Sequence, residues 1–199
     1  WHGKPLYRHT LDLLLDRQQA WAGRCPITIT VVTQYEEILR ELGDRSGQEG
    51  LSIVYCADSK KGVSYTIRAG IQAASRRSGN RSRLCGETSQ DMWMFVVADQ
   101  PLLSAASIDA LIQAACDAGD PGDRREQAEE GAPVYEKQFS PEAYALACHG
   151  QAGNPCVFSD ALIPELLALE GDQGGRTVLR RHRCMYVEIG DAAEFMDID

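Results

Sequence analysis

Residues 91–103 read DMWMFVVADQPLL, and this stretch constrains the fold more than any other. Trp93 to Ala98 is a continuous apolar run, too short to cross a membrane and rich in β-branched and aromatic residues. It predicts a strand buried on both faces, as in a parallel sheet. The run stops at Asp99, followed by Gln100 and by Pro101, which carries no N–H for a ladder. Ser104 then predicts the N-cap of a helix over 105–118. Asp99 is therefore expected at the carboxyl end of a central strand, where open α/β sheets bind their ligands. A carboxylate there suits a Mg²⁺ that carries the phosphates of a nucleotide. The plainer alternative is a carboxylate that caps the turn.

Elements of two periods alternate along the chain. Apolar residues at 6, 7, 11, 14 and 15 predict a helix over 6–17. Residues 27–33, ITITVVT, predict a strand, 35–42 a short helix and 51–56, LSIVYC, a second strand. Ile67, Ile71 and Ala74 share one face of a helix predicted over 63–76. Beyond the 105–118 helix, strands are expected near 132–136, 144–148 and 156–158. Helices over 161–169 and 176–181 and strands over 185–189 and 194–198 complete the chain. Residues 75–90 and 119–131 read as polar loops. Gly153, Asn154 and Pro155 read as a tight turn. The alternation predicts one α/β domain over 1–199, a doubly wound and mostly parallel sheet with a small β extension in the second half.

The formal net charge of −9 argues against a general nucleic-acid binder. No apolar run approaches membrane-spanning length, and the N-terminus lacks the pattern of a signal peptide. The cysteines, at 25, 56, 85, 116, 148, 156 and 184, are odd in number and contain no C-x-x-C pair. Reduced structural thiols and a cytoplasmic location are expected. His149 beside Cys148, with Cys156 near, does not read as a zinc site, because no second ligand pair has the right spacing.

Several segments, taken in order, resemble one family: GKPLYRHTLDLL at 3–14, GVSYTIRAG at 62–70, ADQPLL at 98–103, GNPCVF…LEGDQGGR at 153–176 and FMDID at 195–199. The set resembles the molybdenum cofactor cytidylyltransferases, a MocA-like branch of the MobA-like nucleotidyltransferases with a Rossmann-like, GT-A-like fold. One feature departs. The family opens with a strand and a glycine-rich loop that supplies backbone N–H groups and cations to a triphosphate. No such segment precedes Gly3. Either the sequence omits an N-terminal piece, which is the favoured reading, or the chain is a degenerate member. As written, it is expected to have little transferase activity by itself.

The resemblance implies transfer of CMP from CTP to molybdopterin with release of pyrophosphate, aided by Mg²⁺ or Mn²⁺. It implies Asp99 as the catalytic carboxylate and Asp99, Asp197 and Asp199 as metal ligands. Gly62, Ser64, Thr66, Arg68, Asp99, Gln100 and Pro101 are implied to bind the nucleotide. Gly153, Asn154, Pro155, Asp172, Gly174 and Arg176 are implied to bind the pterin. Plainer readings stand beside these: a solvated acidic tail, a salt-bridged Arg68, a helix start at 62–66 and ordinary loops at 153–155 and 172–176. Two other functions also stay open. One is a sugar- or polyol-phosphate nucleotidyltransferase. The other is a non-catalytic partner that binds the cofactor and delivers it to a molybdenum hydroxylase, acting as or with its chaperone.

Overall fold

The computed structural model describes residues 3–43, 45, 50–78, 91–119 and 141–198. They form two compact units, one of residues 1–13, 90–160 and 182–199, the other of residues 14–89 and 161–181. Helix α1 (Leu6–Trp21) contributes to both.

In the second unit, β1 (Ile29–Thr33) and β2 (Leu51–Tyr55) pair in parallel, Ile29 opposite Leu51 and Thr33 opposite Tyr55. Helix α2 (Glu36–Gly43) connects them, as a parallel pair requires. Helix α3 (Val63–Ser78) buries Ile67 and Ile71, four residues apart on one face. The short helices α5 (Ile163–Leu167) and α6 (Gly175–Leu179) add Leu166 and Val178 to the core.

The first unit holds a four-stranded sheet of order β3-β5-β4-β6, formed by β3 (Met92–Phe95), β4 (Ala143–Cys148), β5 (Gln151–Ser159) and β6 (Cys184–Glu188). β5 is antiparallel to both neighbours, and β6 is parallel to β4. Every residue of β4 is buried; Val157 and Phe158 of β5 and Ile108 and Leu111 of α4 (Ala105–Gly119) are buried as well. Phe95 meets Phe158 edge to face with centroids 5.8 Å apart.

The α/β class matches the sequence, but the strand pattern differs in places. β3 is half-buried and antiparallel to β5, and among the described residues it lies at a sheet edge, not at the centre of a parallel array. Its ladder stops at Phe95, opposite Cys156. The next residue of β5 in register is Pro155, which offers no N–H to continue it. Gly153, Asn154 and Pro155 lie within β5 and do not form a turn. The pairing of β4 with β5 shifts register between Ala145 and Ala147, as expected where a proline interrupts a strand. The strands expected as a small extension, β4 and β5, form the middle of the sheet. Residues 194–198 make no strand: a 3-10 turn, Ala192–Phe195, is followed by an extended end. Helix α3 runs through residues 75–78, the start of the expected loop. Gly119, the first residue of the second expected loop, ends α4; the strand expected at 132–136 and the rest of both loops lie outside the described residues.

The β4–β5 hairpin turns at His149 and Gly150, with φ of 52° and 76°. Positive φ at both central residues is the pattern of a tight type I′ connection, where asparagine or glycine is the favoured first residue. His149 is exposed, so its substitution removes no packing. His149→Asn is expected to stabilise the protein by roughly 0.5 kcal/mol by easing the left-handed backbone. Equilibrium urea unfolding measures this; a lower midpoint would show that His149 makes a contact worth more than the backbone strain.

Candidate functional site

The predicted residues fall into two groups, one in each unit. Asp99, Gln100, Pro101, Gly153, Asn154, Pro155 and Asp197 belong to the first unit; Gly62, Ser64, Thr66, Arg68, Asp172, Gly174 and Arg176 belong to the second. This grouping cuts across the division into nucleotide and pterin residues. Asp199 lies outside the described residues.

In the first unit, the chain leaves β3 and reaches Asp99, whose side chain is exposed and has no hydrogen-bond or ion-pair partner among the described residues. Gln100 turns inward and is only 3% exposed. The Leu103 N–H donates to the Gln100 carbonyl at 3.3 Å, closing a turn before α4. Ser104 caps that helix as expected, its Oγ accepting the Ser107 N–H at 3.1 Å. In a capping box, a Glu at the position of Ser107 would accept the N–H of the cap residue. Here the acceptor comes from the C-terminal tail: Glu194, itself buried, takes the Ser104 N–H at 2.9 Å.

The tail runs on along the same loop. Gln100 Nε2 donates to the Phe195 carbonyl at 3.4 Å and to Asp197 Oδ1 at 2.8 Å. The Ile198 N–H donates to the Asp99 carbonyl at 3.0 Å. The Phe195 ring sits on Gly153, so close that a Cβ there would lie 2.6 Å from the ring. Glycine at 153 is therefore a packing requirement of the tail. Neither Glu194 nor Phe195 is a site residue in the sequence reading: Phe195 enters only as the first residue of the FMDID segment, and Glu194 only within the expected strand over 194–198.

In the second unit, the turn before α3 and the loop before α6 meet backbone to backbone. Gly62 is buried at φ 137°, and a Cβ on it would lie 2.2 Å from the Gly171 carbonyl oxygen. The Ser64 N–H donates to that same oxygen at 3.1 Å. Arg68 Nη1 donates to the Leu169 carbonyl at 3.0 Å, while its guanidinium lies 4.6 Å from the centre of the Tyr65 ring. Thr66 Oγ1 donates to Ser59 Oγ at 2.9 Å. Arg68 and Thr66 are thus engaged within the protein. Ser64 is fully buried, with no partner for its hydroxyl among the described residues. Asp172 and Arg176 are exposed. Lys61, beside Gly62, pairs with Asp58 at 2.8 Å; that hydrogen bond, followed by the attraction of the carboxylate's charge, raises the lysine pKa.

Cys148 and Cys156 are buried and form no disulfide among the described residues. No group of three or more His, Cys, Asp or Glu side chains is placed to share a metal among the described residues. A pair of carboxylates is a smaller set, but Mg²⁺ uses one or two carboxylates together with substrate phosphates. Asp99 and Asp197 are hard oxygen donors joined through the Ile198–Asp99 and Gln100–Asp197 bonds, and both are exposed. Their chemistry fits such a cation.

A family model, the MobA-like NTP transferase domain, matches residues 1–185. The chain belongs to this family. It is 24% identical over 156 residues to the purine catabolism protein PucB of Bacillus subtilis (strain 168). That match covers 76% of this chain but only 58% of PucB. The fold is similar to that of Rv0371c from Mycobacterium tuberculosis H37Rv, with a TM-score of 0.57 at 16% identity over 96% of this chain and 77% of that one. Rv0371c has also been crystallised as a complex with manganese. The fold of 4-diphosphocytidyl-2C-methyl-D-erythritol synthase matches with a TM-score of 0.52 at 15% identity, over 98% of this chain and 83% of that one. This MobA-like chain therefore has the α/β nucleotidyltransferase fold. No described helix is long and apolar enough to cross a membrane.

Proposed function

We propose that the protein transfers CMP from CTP to the terminal phosphate of molybdopterin, with Asp99 and Asp197 holding Mg²⁺ or Mn²⁺. The observation that carries this reading is the tail laid along the Asp99–Gln100 loop, with Asp197 fixed by Gln100 next to the Ile198–Asp99 bond. The motifs of the MocA-like branch, DQP at 99–101, GNP at 153–155 and GDQGGR at 171–176, supply the choice of substrate.

In the transfer, an oxygen of the pterin phosphate forms a bond to the α-phosphorus of CTP as the bond to the pyrophosphate oxygen breaks. The protein's work is positioning and charge. A bound divalent cation supplies neutralisation of the phosphate charge. Asp99, exposed and without a side-chain partner among the described residues, offers both carboxylate oxygens. Asp197 gives one oxygen to Gln100 and keeps the other. Asp199 is the proposed third acidic ligand. A molybdenum hydroxylase is the proposed recipient of the product, and the name of PucB, a purine catabolism protein, supports a place for it in purine catabolism.

The test is pyrophosphate release by the gene-encoded protein with molybdopterin and each nucleoside triphosphate. Release with CTP at least about tenfold above GTP is expected, since a base read by hydrogen bonds differs by one such increment or more. A preference for GTP would reverse the base assignment. Binding of molybdopterin without turnover of any triphosphate would favour the non-catalytic delivery partner, and turnover only with sugar phosphates would replace the pterin.

A further inference from the structure

We infer that Gln100 is a positioning residue for the proposed metal site: its buried amide sets the Asp197 carboxylate beside Asp99 without itself binding the cation. This rests on the metal reading above. Gln100 is 3% exposed, while Asp99 before it is exposed. The amide Nε2 spans two acceptors of the tail, Asp197 Oδ1 at 2.8 Å and the Phe195 carbonyl at 3.4 Å. Both partners are acceptors, which fixes which end of the amide is the nitrogen.

The other end is the telling one. Gln100 Oε1 is buried with no partner among the described residues. An apolar side chain of the same shape would fill this place without leaving an orphaned acceptor. The amide is therefore poorly chosen as a mere peg for the tail. It is well chosen for holding one oxygen of a carboxylate whose other oxygen is needed elsewhere. A neutral donor orients Asp197 without competing for a cation, as Lys or Arg would by charge, and without joining the ligand set, as Glu would. Outer partners of this kind align a ligating carboxylate before the ion arrives.

The experiment titrates the gene-encoded protein with Mn²⁺ alone, read by paramagnetic resonance, and measures thermal unfolding of each variant without metal. Gln100→Met, close in volume, is expected to weaken Mn²⁺ binding about ten- to a hundredfold, the usual effect of removing an outer partner of a ligand. The unfolding midpoint should change little, because relief of the orphaned acceptor offsets the loss of the two bonds to the exposed tail. Gln100→Asn, one methylene short of Asp197, should show the same loss of affinity and serves if the Met variant fails to fold. In an Asp197→Asn background, Gln100→Met should have no further effect, since Gln100 acts through Asp197. Unchanged Mn²⁺ affinity in both Gln100 variants, with Asp197→Asn weakened, overturns the inference and leaves the metal site standing. Additive losses in the double variant also overturn it. No Mn²⁺ binding by the parent protein, or full binding by Asp197→Asn, overturns the metal reading and the inference together.

Discussion

Asp99→Asn is expected to lower metal-dependent nucleotidyl transfer at least about a hundredfold, the scale seen when one preorganised charge-stabilising group is removed from an active site. The same change should move stability by no more than about 0.5 kcal/mol, as for a surface substitution that breaks no buried contact. Both halves follow from one observation: the Asp99 side chain is exposed and without a partner among the described residues, while its backbone carbonyl is held by Ile198. Asparagine preserves that backbone bond and the shape of the side chain. It removes only the charge, and no charged group of the described protein depends on it. Pyrophosphate release and urea unfolding of the same preparation check the two halves. Near-normal turnover would make Asp99 a turn residue, and a large loss of stability would mean that its carboxylate has a structural partner.

What the sequence made legible was local. β-branched runs gave β1 and β2 within two residues, and the Ser104 cap placed the start of α4 correctly. These features depend on neighbours in the chain, where propensity and capping act. The misreadings were of pairing. An apolar run such as 93–98 suits a buried strand of either direction, and nothing in it shows that its partner, β5, arrives antiparallel with a proline in register beyond Phe95. The tail is the same case. Residues 194–198 read as a strand, but Gln100, Ser104 and Gly153 take up their polar and aromatic groups one by one and leave no ladder to form. Of the candidate residues, Asp99, Gln100 and Asp197 were named from sequence, yet their connection runs through side chains nearly a hundred positions apart. Arg68 and Thr66 were named as ligand-facing groups; their polar atoms are taken up by Leu169 and Ser59, contacts that no spacing rule reveals.

Gly62→Ala is expected to be the most destabilising small substitution in the second unit, at about 3 kcal/mol or more. Two costs add. At φ 137° only glycine is comfortable, and a side chain held there costs roughly 1–3 kcal/mol. The new Cβ would also lie 2.2 Å from the carbonyl oxygen of Gly171 and 2.3 Å from its carbon, and backbone cannot swing aside as a side-chain tip can. Overpacking of that kind adds about 1–3 kcal/mol. Gly171→Ala separates the two costs. Gly171 has φ 54°, but nothing lies within 4 Å of its added Cβ, so only the left-handed backbone is charged, at about 1–2 kcal/mol. Equilibrium denaturation of both variants decides the matter. Equal losses would mean that the 62–64 and 171–172 segments are not in backbone contact. A larger loss at Gly62 would fix that contact as the joint between α3 and the α6 loop, the two segments that carry Arg68, Asp172 and Arg176. Opening this joint would also release the Ser64 N–H from Gly171 and so loosen the first turn of α3.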